Sequence, residues 1–196
     1  MKPAALGFRV HSGWAAMVAV SLEEPFPVPL MRERPHLVRT FAFEFRQPYH
    51  TAERKPFAEA RSFIDSVRSE ANALALTAIQ AAQTTVRTQG RELRACGLLA
   101  SSAKPLPDLA RILASHPLIH TADGELFREA LVEACNRLAL AVRTIMESEL
   151  LERASKALRL SSEQLTARLA LIGRTLGPPW TQDEKFATLA ACLAGA

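Results

Sequence analysis

Short apolar runs come first along this chain, and helical periodicity follows. Residues Ala5 to Val10 and Trp14 to Ser21 are apolar runs separated by Ser12-Gly13, which supplies turn chemistry, so they are expected to form a two-stranded hairpin. Prolines 25, 27, 29 and 35 punctuate Glu23 to Pro35 and imply an extended loop there. Residues His36 to Arg46 then alternate, with Phe41, Phe43 and Phe45 on one face, which predicts a half-buried third strand. A connection over Gln47 to Glu53 leads to the longest periodic segment. Phe57, Ala60, Ile64, Val67, Ala71, Leu74, Ala78, Ala82 and Val86 recur at three- and four-residue steps, predicting one amphipathic helix from about Pro56 to Gln89 with Gly90 beyond its end.

The second half alternates strand and helix. Glu92 to Ala100 reads as a buried parallel strand and Ser101 to Pro107 as a loop. Asp108 to Ser115 is a short helix that His116-Pro117 is expected to break. Thr121 is a candidate cap for a helix over Ala122 to Leu138. Leu140 to Met146 predicts a fifth strand and Glu147 to Leu158 a helix. Two capping boxes follow: Ser161 with Gln164 opens a helix ending near Gly177, and Thr181 with Glu184 opens the last one.

Three strands, a long helix, a strand, helices, a strand and further helices imply an antiparallel meander joined to right-handed parallel crossovers. The expected fold is therefore α/β: a mixed five-stranded sheet with helices on both faces. At 196 residues the chain suits a single domain, 1–196, with a helical C-terminal elaboration.

Composition narrows the function classes. Hydrophobic residues make up 48% of the chain and charged residues 22%, as in ordinary globular proteins. The net charge is +4, with the arginines scattered singly and no strong basic stripe. Cys96, Cys135 and Cys192 lie far apart in apolar surroundings, which argues against a disulfide framework or a cysteine zinc site. No apolar run reaches the length needed to span a bilayer, and no signal-peptide pattern opens the chain, so no membrane partner and a cytoplasmic location are expected.

Topology suggests where a site would lie. In open α/β sheets, ligands bind at the carboxyl ends of the strands. That edge is expected to gather His11, Tyr49, His50, Ser101, Ser102, His120, Glu125 and Glu147, with Asp183. Histidine near neutral pH serves as general base, and imidazole suits zinc, iron or nickel. His11, His120 and Asp183 are thus candidate catalytic residues; Tyr49, His50, Ser101 and Glu125 are candidate substrate contacts. His11, Glu147 and Asp183 are candidate ligands for a divalent metal. Each has an ordinary alternative: His116 beside a helix end and Asp183 and Glu184 in a first helical turn would suit the local dipoles.

The segments Leu6-Gly7-Phe8-Arg9-Val10-His11-Ser12-Gly13-Trp14 through Val20 and Asp183 through Ala194 resemble the ribonuclease-H-like superfamily, in its RuvC-like branch. Such proteins open with a strand, a carboxylate, a glycine-containing turn and a second strand, and close on a small-residue helix with an acid near its start. The element order β-β-β-α-β-α-β-α matches. The resemblance implies metal-binding acids at the first strand, the fourth strand and the last helix. Here those places hold His11, then Ser101 or Ser102, then Asp183 or Glu184, so a standard magnesium nuclease is not expected. Three function classes follow. The first is a binding or structural domain with nucleic acid as a candidate partner. The second is a divergent metal-dependent nuclease or hydrolase. The third is an interaction module whose long helix overhangs the domain and meets a protein partner or second copy.

Overall fold

The computed structural model describes residues 1–22, 27–101 and 104–195. Strand β1 (Lys2–His11) turns through Ser12 and Gly13 into β2 (Trp14–Ser21), and β3 (Pro29–Glu33) pairs antiparallel with β2. Gly13 has φ +82, which glycine adopts without steric penalty. Two short helices, α1 (Phe43–Arg46) and α2 (Pro48–Ala52), precede the long α3 (Phe57–Thr88). Then come β4 (Arg91–Ala100), α4 (Leu109–Leu113), α5 (His116–Arg137), β5 (Ala141–Met146), a single 3-10 turn and α6 (Leu150–Leu158). Helices α7 (Ser162–Leu176) and α8 (Gln182–Gly195) complete the chain. The five strands run in the order β3-β2-β1-β4-β5, with β1, β4 and β5 parallel. This is the mixed five-stranded α/β sheet expected from the element order.

Strand parity divides the core in two. Leu6 and Phe8 of β1, Met17 and Ala19 of β2, and Cys96 and Leu98 of β4 face α3 and α5. Ala5, Ala16, Val18, Val20 and Ala95 face α8. Helix α3 buries Ala60, Ile64, Val67, Ala71, Ala75, Ile79, Ala82 and Val86, an unbroken stripe along its 32 residues, roughly 48 Å. The stripe is that of the sequence pattern, shifted by one residue at Ala75 and Ile79, with Phe57 left exposed. Its far end is not an overhang: Val86 is fully buried, and Gln89 Nε2 donates to the Leu30 carbonyl of β3 at 3.2 Å.

Helix α8 lies directly on the sheet. A methyl group on Gly7 would stand 1.8 Å from the Ala187 carbonyl oxygen, and one on Gly97 2.0 Å from that of Ala190. Two glycines on adjacent parallel strands therefore let backbone meet backbone, and the alanines of α8 supply the matching small face. Arg32 of β3 secures the approach to α8. Its guanidinium donates to the carbonyls of Leu176, Gly177, Pro178 and Pro179 at 2.6–3.2 Å.

Three expectations need correction. The third strand is not His36–Arg46 but Pro29–Glu33, inside the segment expected to be a loop. An edge strand tolerates proline at its first residue, where the missing donor breaks no ladder. The Phe41, Phe43, Phe45 alternation misled because it is short and a single helical turn, α1, takes up Phe43 and Phe45, with Phe41 left outside it. Helix α5 starts at His116, with Ser115 as its N-cap, rather than after Thr121. Pro117 sits in the first turn, where its absent N–H has no helical partner to lose. The Thr181 box forms only in part: Glu184 accepts from the Thr181 amide at 2.7 Å, and the Thr181 hydroxyl donates to Glu184 instead of capping its amide. The Ser161 box forms in full.

The glycine seat predicts opposite effects for two conservative changes. Gly97→Ala should destabilise the chain by more than the ~1–3 kcal/mol of ordinary overpacking, because the clash is with backbone. Gly124→Ala, mid-helix in α5 with only the tip of Arg128 at 3.5 Å, should stabilise it by about 0.5–1 kcal/mol. Urea unfolding of both variants reads the two signs.

Candidate functional site at the carboxyl edge of the sheet

The carboxyl ends of β1, β4 and β5 and the starts of α5 and α8 share one edge. A cleft of about 330 Å³ opens there, lined by Arg9, His11 and Ser12 of the hairpin, Leu99 to Ser101, His120, Thr121, Gly124 and Arg128 of α5, and Glu147. Beside it sits a charged network centred on Arg9. Parity puts Arg9 on the same face of β1 as Gly7, toward α8. Its Nε and Nη2 donate to the two oxygens of Glu147 at 3.2 and 2.6 Å, and its Nη1 donates to Asp183 Oδ1 at 2.7 Å. The Phe186 ring lies under the guanidinium at 5.0 Å. His11 Nε2 pairs with the same Asp183 oxygen at 2.8 Å and stacks on Trp14 at 4.2 Å. Arg34 also covers Trp14 and reaches Glu184 Oε1 at 3.3 Å.

These contacts shift the acids. Burial alone would raise the Asp183 carboxyl, but the hydrogen bonds and charges of His11 and Arg9 outweigh it and hold it below its ordinary value. Glu184 is likewise lowered: burial raises it, while the Thr181 hydroxyl and amide and the charge of Arg34 bring it down. Arg9 is held fully protonated, because its two carboxylate partners overcome the burial that would lower it.

A second cluster lies at the start of α5. His116 and His120 are one helical turn apart, with their Nε2 atoms at 3.0 Å. His50, from α2, packs edge-on against both rings, with centroids 5.3 and 4.4 Å away. Its Nδ1 is hydrogen-bonded to Asp123 Oδ2, and the other Asp123 oxygen accepts from the Tyr49 amide at 2.7 Å. Asp123 is 3% exposed, and burial raises its carboxyl against the pull of those two bonds.

The edge thus holds two groups of residues. His11, Glu147 and Asp183 converge, but around Arg9. His50 and His120 meet each other and His116. His120 and His11 line the same cleft. Ser101 is exposed on the cleft wall; Ser102 lies outside the described residues. Glu125 joins neither group and accepts instead from Arg128 Nε at 2.8 Å. The Tyr49 ring is buried away from the cleft, with its hydroxyl accepting from Arg68 at 3.2 Å beside a separate hollow of about 420 Å³. Sequence reasoning missed Arg9 and Arg34 as site residues, and treated His116 as a helix-end residue. The available signals were the lone cation at the apolar strand's end and the four-residue spacing of His116 and His120.

The network does not suit magnesium. Magnesium takes hard oxygen ligands in octahedral geometry. Both carboxylates that could supply them are engaged by a guanidinium standing between them, so an ion would have to displace Arg9. The donors present do not fit a magnesium centre.

The lowered carboxyls set the sign of the acid response. A group bound more weakly by protons in the folded state contributes stability above its unfolded pKa and loses it as pH falls through the folded value. Asp183 should therefore stabilise the chain at neutral pH and cease to do so well below its ordinary value of 3.8. In urea unfolding, the difference between the wild type and Asp183→Asn should be largest at neutral pH and close in strong acid.

No protein-family model matches this chain, and no curated protein matches it in sequence. Solved structures do resemble it in fold. Thermus thermophilus RuvC in complex with Holliday junction substrate superposes with a TM-score of 0.52 at 12% identity, covering 97% of this chain and 90% of that one. A second Thermus thermophilus RuvC structure gives 0.49 at 13% identity over 97% and 92% of the two chains. At this identity the likeness concerns architecture: the chain has a RuvC-like ribonuclease-H fold.

Proposed function

We propose that residues 1–196 form one RuvC-like domain that binds nucleic acid at the carboxyl edge of its sheet and does not cut it with magnesium. The observation that carries this reading is Arg9 between Glu147 and Asp183. A guanidinium satisfies the charge and lone pairs of two carboxylates through directed hydrogen bonds. It has no vacant coordination position, so it cannot hold and activate a water as a metal ion does. The similar protein that was solved with a Holliday junction, the net charge of +4, and Arg34 and Arg128 at this edge support nucleic acid as the partner.

Labelled four-way junction, duplex and single-stranded DNA, incubated with the full chain and magnesium or manganese, test the reading. Binding by fluorescence anisotropy should weaken steeply with salt, as counterion release requires, and all three substrates should stay intact. Cleavage that disappears in His11→Ala, or no binding to any of the three at low salt, would overturn it.

The role of Arg9 as an internal cation makes a separate prediction. In Arg9→Asp a third carboxylate would replace the guanidinium between Glu147 and Asp183, leaving Arg34, 3.6 Å from Asp183 Oδ2, to face them. That variant should unfold at lower temperature than the wild type and recover in part on adding manganese, while the wild type should show no manganese response.

A further inference from the structure

We infer that His50, His116 and His120 form a binding site for a zinc-type transition-metal ion, distinct from the Arg9 network and independent of the nucleic-acid reading. One ligand atom from each of the three lies within 4.8 Å of those of the other two. In a tetrahedral zinc site with 2.0–2.1 Å bonds, neighbouring nitrogens stand roughly 3.3 Å apart, so small side-chain rotations close this cluster around an ion. The 3.0 Å between His116 and His120 Nε2 already approaches that spacing.

The surroundings are those a metal site needs. Metal-bound histidine commonly gives its other ring nitrogen to a carboxylate, which fixes the ring's orientation and makes it a better ligand. Asp123 does this for His50 through Nδ1, leaving Nε2 as the nitrogen with a free lone pair. Asp123 is itself held by the Tyr49 amide. His116 and His120 occupy one face of α5 because residues four apart on a helix are neighbours. Both are exposed, so an ion can enter from solvent. His50 is half-buried and anchored, so it is the pre-placed ligand of the three.

The donor set selects the metal. Three imidazoles suit zinc, copper, nickel or iron and offer nothing to magnesium or calcium. Three protein ligands leave a fourth tetrahedral position for solvent or substrate, the arrangement of sites where the ion contacts a ligand rather than only bracing a fold. His120 is also a wall of the 330 Å³ cleft, which places the ion at the rim of the cavity that Arg9 and His11 line.

The test uses metal-free full chain carrying no histidine tag. Cobalt(II) serves as the spectroscopic probe, and zinc is titrated by calorimetry. One zinc per chain is expected, and cobalt should give the intense visible bands of a low-coordinate site, bleached by adding zinc. His116→Ala and His120→Ala, both at exposed positions, should each weaken zinc binding at least about 100-fold while keeping the wild-type circular dichroism. Asp123→Asn, acting through His50, should weaken it about 10- to 100-fold. His36→Ala, at an exposed histidine outside both clusters, should bind as the wild type does. Absence of stoichiometric zinc binding would overturn the assignment. So would binding that survives both His116→Ala and His120→Ala, or binding lost only in His11→Ala.

Discussion

The close seat of α8 on Gly7 and Gly97 is the contact on which the remaining architecture turns. Side chains between a helix and a sheet ordinarily hold them about 10 Å apart and allow some sliding. Here the carbonyls of Ala187 and Ala190 lie where β-carbons would be, so the helix has one register and one height. That register places the first turn of α8 at the carboxyl edge of the sheet. Asp183 then stands 2.7 Å from Arg9, two residues past Gly7 on the same face of β1. The glycine that seats the helix and the arginine that meets its acid are thus successive positions of one strand face. Helix α8 adds its own field, since acids in a first turn are favoured by the positive end of the helix dipole.

Arg9 stands as a cation between the two acids, with one delocalised charge where a divalent metal carries two. Carboxylates brought together without a cation raise one another's pKa and would neutralise in part. A guanidinium prevents this at every accessible pH, because it does not deprotonate in proteins. It also uses a planar fork, so Glu147 is held bidentate while one nitrogen remains for Asp183. Arg9 thereby occupies the space between the two carboxylates where an octahedral ion would need them free. Arg9 thus fixes the spacing of Glu147 and Asp183 at this edge through three directed hydrogen bonds.

How much of this was legible in the sequence follows from the range of the forces involved. The long α3 was visible because its apolar stripe is a local, repeated signal, and the order of strands and helices followed from short connections. The third strand was not, since edge strands take their pairing from the neighbour: Leu30 and Met31 pack on the core, while Phe41 to Phe45 carried the stronger local alternation. The early start of α5 was hidden by a proline that looks like a breaker and serves as a first-turn residue. Topology brought His11, His120 and Glu147 to one edge, as the structure does, but partner choice depends on side-chain parity and reach. His11 and His120 both arrive at the cleft, yet one pairs with Asp183 and the other with His116. The glycines were legible as residues but not as a seat, because nothing local says that a helix far along the chain will lie on them.

The two clusters divide the edge by ligand type, and the division has a structural cause. The end of β5 and the start of α8 deliver the carboxylates Glu147 and Asp183, and β1 delivers the arginine that stands between them. Helix α5 begins six residues earlier than a Thr121 cap would allow, and that added stretch carries His116 into reach of His120. Had the helix started at Ala122, His116 and His120 would lie in a loop without fixed spacing. Asp123, one turn further on, then ties in α2 and sets the ring of His50. A proline-opened first turn thus converts three dispersed histidines into one imidazole cluster. The edge is left with carboxylates already engaged by the chain and imidazoles, two of them exposed, gathered by α5 and α2.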